Sequence, residues 1–510
     1  MQDPAENACD DTSVEPGVWR FALATRVRVI VDAADYFELI QQAMLRARCR
    51  LLLIGWDFDT RIHLTQGRRW WQRAWKKQFP ARLGAFLVWL TRNNPNLEIH
   101  VLKWAVGAMK FAFRGSMMFD LVSWMAHPRI DFKFDSVHPF GCSHHQKIVI
   151  IDDSLAVCGG IDITDRRWDT REHRVPEKRR QRPGGKAYGP WHDLTMMMEG
   201  PIAATLDELG RDRWRKAGGK PLKKLPPSEE TAWPDELPAH FENVEVGIAR
   251  TRPEYAGQSK IDEVEKLFVE QIGRAKKLIY AENQYFASRA VAEAISKRMA
   301  EPDPPEVLII HPAHADGWIE STVMDPVRAL LAQAVHEVDA QDRFHLYMPY
   351  MGETPIYVHA KLLIVDDEII RIGSSNFNNR SMGLDTECDV FIDCARPANQ
   401  GCSEAIRALR YSLLAEHCGL HDAEVGPLLE QAGSMVGLIT ALGEGRERHL
   451  KRFQPESLTD IQAALADSEA FDPESPDDMF SIGAPRRGLF RPGSLLARAM
   501  DRVKRKRRRK

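Results

Sequence analysis

Two stretches of this chain carry the same residue types at the same spacing. The first is His145-Gln-Lys147-Ile-Val-Ile-Ile-Asp152, and the second is His359-Ala-Lys361-Leu-Leu-Ile-Val-Asp366. Both read H-x-K-x4-D, and each is followed by small residues, Gly159-Gly160 and Gly373-Ser374-Ser375. In a strand, residues two apart point the same way, so each His shares a face with its Lys. Asp152 and Asp366 have the opposite parity and are expected to be structural, bonded to backbone or to a cation in the loop. Lysine offers a fixed charge for phosphate oxygens, while imidazole can attack phosphorus or protonate a leaving oxygen. Two such pairs facing each other supply one nucleophile, one general acid and two cations. That set suits phosphoryl transfer through a covalent phosphohistidine. The lysines neutralise the transition-state charge, so no metal and no cofactor are expected.

A nucleophilic histidine needs one ring nitrogen free and the other held by an acceptor. Carboxylates downstream of the motifs are candidates: Asp193 in Pro190-Trp-His-Asp193, and Glu387 in Leu384-Asp-Thr-Glu387. Taken alone, each reads more readily as a surface or salt-bridge carboxylate, and Trp56 and Trp191 read as core or rim residues.

The elements that must position these residues repeat in order. Asp32 to Arg50 has helical apolar spacing and runs into the strand pattern Leu51 to Trp56. Trp70 to Trp89 reads as helical, and Leu97 to Leu102 and Lys147 to Ile151 read as strands. The second half repeats helix, strand, helix and strand across Ile261–Ala275, Lys277–Tyr280, Val291–Met299 and Val307–Ile310, followed by a helix across Pro326–Val338 and the second motif strand. Helices alternating with β-rich runs imply an α/β layered fold, and the repeat is a long-range duplication rather than a solenoid. The expected organisation is a disordered 1–17, a first half over 18–215, a linker over 216–244, a second half over 245–420, and a helical or disordered 421–510. Arg171 to Pro190 should be an exposed loop, and Ala464 to Pro485 should be disordered.

The 510 residues allow two to four domains or one large duplicated unit. Seventy Lys and Arg against 72 Asp and Glu leave a net charge of −2, which does not argue for nucleic acid. Eight cysteines lie scattered without a CxxC pair or zinc spacing, as expected of reduced cytoplasmic thiols. No signal-peptide pattern appears, and the longest apolar runs are too short for a bilayer span. The tail from Leu495 to Lys510 combines Leu495, Leu496, Ala499, Met500 and Val503 with a basic cluster. It is expected to dock on anionic lipid as an amphipathic anchor or to remain a solvated tail.

With these residues in view, the chain resembles the phospholipase D superfamily, whose hallmark is the doubled H-x-K-x4-D motif. Gly159 to Ile163, Arg167 to Thr170, Pro190 to Asp193, Glu282 to Phe286 and Gly373 to Ser381 are similar to blocks of its eukaryotic-type branch. The resemblance covers roughly residues 20 to 420. It implies two similar α/β/α sandwich halves packed about a pseudo-two-fold axis. It implies a two-step transfer with His145 as nucleophile and His359 as acid/base, oriented by Asp193 and Glu387 respectively. It assigns phosphate binding to Lys147, Lys361 and Asn376, and structural roles to Asp152, Asp366, Gly159, Gly160 and Asp162. Asp162 stands where many other branches carry Asn. The expected activity is hydrolysis of phosphatidylcholine-like glycerophospholipids to phosphatidic acid and a headgroup alcohol, with transphosphatidylation, by a monomer at a membrane surface. A phospholipid synthase of the cardiolipin or phosphatidylserine type is the alternative, followed by a nuclease or other phosphodiesterase.

Overall fold

The computed structural model describes residues 15–64, 79–105, 115–226, 230–316, 318–455, 458, 472–474 and 488–508. The first-half strands are β1 (Arg20–Val31), β2 (Arg50–Gly55), β3 (Glu98–Trp104), β4 (Ile130–Asp135), β5 (Ile148–Ile151), β6 (Leu155–Gly159), β7 (Trp191–His192) and β8 (Leu194–Glu199). Those of the second half are β9 (Phe241–Arg252), β10 (Ile261–Asp262), β11 (Leu278–Asn283), β12 (Glu306–Ile310), β13 (Phe344–Met351), β14 (Thr354–Pro355), β15 (Tyr357–Val358), β16 (Lys361–Val365), β17 (Ile369–Gly373), β18 (Glu387–Asp393) and β19 (Arg448–Arg452).

Strand pairing repeats the same order twice. In the first half the neighbours run β4-β3-β2-β5-β6-β8-β1. In the second they run β13-β12-β11-β16-β17-β18-β9. The three strands at the start of each run are parallel, and parallel strands need crossover connections. The helices Leu83–Asn93 and Met117–Met125 supply them in the first half, and Arg289–Met299 and Trp318–Val338 in the second. The antiparallel pair β1 and β9 joins the two runs.

Apolar clusters line both faces of each half. One combines Leu52, Ile54 and the helix Pro201–Lys216 with Leu362, Ile364 and the helix Ser403–Cys418, so it belongs to both halves. The other two lie under the outer helices of the second and first halves. The duplicated α/β/α plan expected from the repeat is the plan observed.

Several boundaries differ from the expectation. β9 begins at Phe241, inside the stretch read as a linker, and Trp233 of that stretch is buried in the first-half core. β19 pairs with β13, so chain beyond residue 420 completes the second-half sheet. The loop after Arg171 is not simply exposed, since His173 and Arg180 are buried. The basic tail forms the helix Leu495–Arg508, but Leu496, Ala499 and Met500 are packed into the second-half core with Val503 against them. Its apolar face is therefore occupied by protein, and Arg502 and Lys506 pair with Glu337. Residues 1–14, 70–78 and nearly all of 464–485 lie outside the described residues. No single helix among the described residues is long and apolar enough to cross a membrane.

Candidate active site

The two halves exchange short strand contacts at the motifs. His144, just before His145, bridges in parallel to Thr386, just before Glu387. Val358, just before His359, pairs in parallel with His192, just before Asp193. The amide of His145 donates to Thr386 O at 3.0 Å, and that of His359 donates to His192 O at 2.7 Å. Each histidine is thus set by backbone beside a carboxylate of the other half.

The side chains complete this crossing. His145 Nδ1 lies 3.1 Å from both Glu387 oxygens, and His359 Nδ1 lies 2.7 Å from Asp193 Oδ2. The expected pairing of Asp193 with His145 and Glu387 with His359 is therefore reversed. The reason is topological. Asp193 lies between β7 and β8, and β8 lies beside its own motif strand's partner β6, while its side chain turns across the junction to the other motif. The glycines make room for it: a Cβ on Gly160 would collide with the Asp193 carboxylate, and one on Gly159 with Thr195. In the second half, a Cβ on Gly373 would collide with Asp389, whose carboxylate binds the amides of Ser374 and Ser375.

The lysines are held differently. Lys147 Nζ donates to His145 O at 2.9 Å and pairs with Asp162 Oδ2 at 3.2 Å. Asp162 also accepts from the amides of Trp56 and Asp57, so its carboxylate serves the lysine and a loop. Lys361 Nζ donates to His359 O and, at 3.2 Å, to the side-chain oxygen of Gln284. Asn376 is buried, and its side-chain oxygen has no hydrogen-bond partner among the described residues. Asp152 accepts three backbone N–H bonds, from Arg48, Cys49 and Arg50, and Asp366 accepts three from Lys276, Lys277 and Leu278. Both aspartates lock the motif hairpin to the strand beside it.

Electrostatics tie the pairs into one site. Burial, then the charges of Lys147 and Lys361, hold His145 well below the usual imidazole range. Burial, Lys361, Arg167 and Lys147 do the same to His359. In its neutral form each ring has an Nε2 lone pair when Nδ1–H faces its carboxylate. Burial pushes Asp193 up to about 7 and Glu387 well above the usual carboxylate range, against the Ser374 and Ser381 hydroxyls that donate to Glu387. Burial also lowers Lys361 to about 7.

Reading the sequence did not identify Arg167, Gln284, Ser374 and Ser381 as site residues. Arg167 is buried and lies 4.3 Å over the Trp191 ring, which in turn tilts on His359 at 5.2 Å. Its signal was its place in a block similar to the family, with no chemistry attached.

A second cluster lies behind Asp193. Asp32, His173 and His192 from the first half and Glu416 from the second are all buried, with one ligand atom each within 4.8 Å of the others. His173 Nε2 and His192 Nδ1 lie 3.1 and 2.8 Å from Glu416 Oε1. The other ring nitrogens rest on Asp169, at 3.0 Å, and Glu282, at 2.7 Å. Carboxylate-backed histidines around shared oxygens could hold a divalent cation, whereas the sequence reading expected no metal. The same groups also satisfy one another as ions: although burial opposes it, Glu282, Glu416 and Asp32 raise His192 well above its ordinary value. Asp32 further braces the active site, accepting from the amide of Asp193 and donating its own amide to Asp193 O.

A family profile described as Phospholipase D matches residues 126–300 and 323–466, more than half of the chain. Among curated relatives, phospholipase D alpha 1 of Vigna unguiculata is 27% identical over 421 residues, covering 58% of this chain and 52% of that protein. Phospholipase D alpha 1 of Zea mays is 26% identical over 399 residues, covering 54% and 49%. The chain spans about half the length of the curated relatives it matches. Among solved structures, phosphatidylserine synthase of Haemophilus influenzae aligns with 82% of this chain and 96% of its own, at 12% identity and a TM-score of 0.47.

Proposed function

Since this chain belongs to the phospholipase D family, we propose that it is a phospholipase D, cleaving glycerophospholipids on the headgroup side of phosphorus. What supports this most is the crossed arrangement, in which two histidines are each backed by a carboxylate of the other half, 3.1 and 2.7 Å away. In the first step His145 Nε2 attacks phosphorus and the bond from phosphorus to the headgroup oxygen breaks. His359 Nε2–H protonates that oxygen, and the phosphatidyl group stays on His145. In the second step water attacks phosphorus while His359 takes its proton, and the P–N bond breaks to release phosphatidic acid. A primary alcohol in place of water gives a phosphatidylalcohol. Lys147, Lys361 and Asn376 bind the phosphate oxygens. The arriving anion offsets the lysine and Arg167 charges that depress His359 and so favours its protonated, donating form.

The test is an assay on mixed phospholipid vesicles containing a short primary alcohol, with products read by mass. Phosphatidylalcohol from the wild type and none from His145→Ala or His359→Ala is the expected result. Cleavage of nucleic acid or another diester, with no lipid product, would overturn the proposal.

A further inference from the structure

Arg167 is only 6% exposed, yet among the described residues its guanidinium makes no hydrogen bond and no ion pair. Its neighbours in the same loop are all satisfied. Arg166 pairs with Asp316 at 3.2 Å, Arg180 with Asp169 at 2.8 Å, and Arg182 with Asp165 at 3.1 Å. A buried cation without a counter-charge is costly, and an acceptor that arrives from outside completes it. The same count from the motif histidine reaches Ser381 in the second half, whose hydroxyl donates to Glu387 at 2.7 Å. Arg167 makes no such bond to Asp193, so it does not repeat the bracing role of Ser381.

Arg167 belongs to the His359 side of the site. Its guanidinium carbon stands 4.3 Å over the Trp191 ring, and the same ring tilts on His359 at 5.2 Å. With both on one indole, a small headgroup spans the distance between them. Electrostatics agree: the Arg167 charge lowers His359 more than the Lys147 charge does, whereas His145 is lowered by Lys147 and Lys361. In the proposed reaction His359 protonates the departing headgroup oxygen, so the guanidinium faces the departing group.

These surroundings suit an oxygen and not an ammonium. The carboxylates near Trp191 already hold cations: Asp193 the His359 ring, Asp169 the Arg180 guanidinium, and Asp316 that of Arg166. Trp191, the ring on which a quaternary ammonium would rest, already carries a guanidinium and stacks on Tyr357 at 4.6 Å.

We propose that Arg167 receives the distal oxygen of the departing headgroup, so that this protein selects phospholipids whose headgroup ends in an oxygen acceptor, a glycerol hydroxyl or a serine carboxylate, over those that end in a quaternary ammonium. The inference rests on the phospholipase reading and on His359 as the acid. A guanidinium donates a charge-assisted hydrogen bond to a hydroxyl or carboxylate. A trimethylammonium offers no acceptor and brings a second positive charge toward a buried one. The preferred headgroup thus departs from the phosphatidylcholine-like one that the resemblance implies.

The experiment offers the full chain vesicles of equimolar phosphatidylglycerol, phosphatidylserine and phosphatidylcholine. Each class carries its own acyl length, permuted between runs, so the mass of the phosphatidic acid names its parent. The three compete on one surface for one active site, which makes the product ratios independent of vesicle binding and of the folded fraction. The wild type should consume phosphatidylglycerol or phosphatidylserine at least about tenfold over phosphatidylcholine. Preference in one arm alone assigns the hydroxyl or the carboxylate as the group received. Arg167→Gln should bring the ratios close to one, and Arg167→Lys, which keeps the charge, should retain part of the preference. A wild type that consumes all three equally or favours phosphatidylcholine would overturn the inference. So would an Arg167→Gln variant that loses activity equally on all three, since Arg167 would then act only through His359 and Asp193. No lipid product from the wild type would overturn the phospholipase reading itself and this inference with it.

Discussion

Lys147 of the first half faces the Asp162 carboxylate at 3.2 Å and lies 6.0 Å from the centre of the Trp56 ring. Lys361 of the second half meets the Gln284 amide at 3.2 Å, and the position that corresponds to Asp162 is Asn376. Trp56 and Gln284 correspond as well, each following the strand that Asp152 or Asp366 anchors. A carboxylate-for-amide difference therefore separates the surroundings of the two lysines, beside the exchange of Trp56 for Gln284. It leaves the first lysine paired with a carboxylate before substrate arrives, while the second meets a neutral amide there. A duplicated fold supplies two copies of one constellation, and such differences let them take different parts in one reaction. The carboxylates differ too: Glu387 rests on two serine hydroxyls, whereas Asp193 binds the amide of Leu194.

Removing either histidine should have the largest effect, because each half supplies a part that the other cannot replace. His145→Ala and His359→Ala should each lower kcat by about 10⁴-fold or more, with circular dichroism unchanged. Residual turnover above that level in either variant would mean that one half works alone.

The lysines sharpen the contrast. Lys361→Met should lower kcat/KM about 10²- to 10³-fold, and Lys147→Met by about tenfold less, measured on vesicle substrate. Asp162→Asn should tighten inorganic phosphate binding by about threefold to tenfold, since it unmasks Lys147. Equal losses from the two lysines would erase the proposed asymmetry.

The pH dependence follows from the same difference. Lys361 is lowered to about 7, first by burial, so its charge is present below that pH and is lost as pH rises through it. Phosphate affinity of the free protein should therefore fall above pH 7. Lys361→Arg, which keeps its charge, should flatten that limb. Calorimetric titration of phosphate from pH 6 to 9 reads both.

The anchoring aspartates should matter least to chemistry and similarly in both halves. Asp152→Ala and Asp366→Ala each release three N–H groups next to solvent and should cost about 1–3 kcal/mol of stability, read as a drop in Tm.

Much of this was legible in the sequence because the motif repeats. His145, Lys147, His359 and Lys361 come together as the doubled pattern implied, and the apolar runs after each lysine are the buried strands β5 and β16. The crossing of Asp193 and Glu387 was not legible, because sequence distance places each carboxylate nearer its own motif. Only the parallel bridges between halves carry it over. β1 and β9 were missed although Val27 and Val29 flank Arg28, and Val244, Val246 and Ile248 alternate with Glu245 and Gly247. Their charged alternate positions and the polar stretch preceding β9 masked the period. Asp32, His173, His192 and Glu416 lie far apart in the chain with no ligand spacing, so only the packed junction reveals the cluster.

The central claim is that each catalytic imidazole is held by the carboxylate of the other half. Proton–nitrogen NMR of histidine-labelled protein tests it through the hydrogen-bonded Nδ1–H signals of His145 and His359, assigned with the His145→Ala and His359→Ala variants. Glu387→Gln should remove or shift the His145 signal and leave that of His359, and Asp193→Asn should do the reverse. Loss of the His145 signal in Asp193→Asn, with Glu387→Gln silent, would contradict the crossed site.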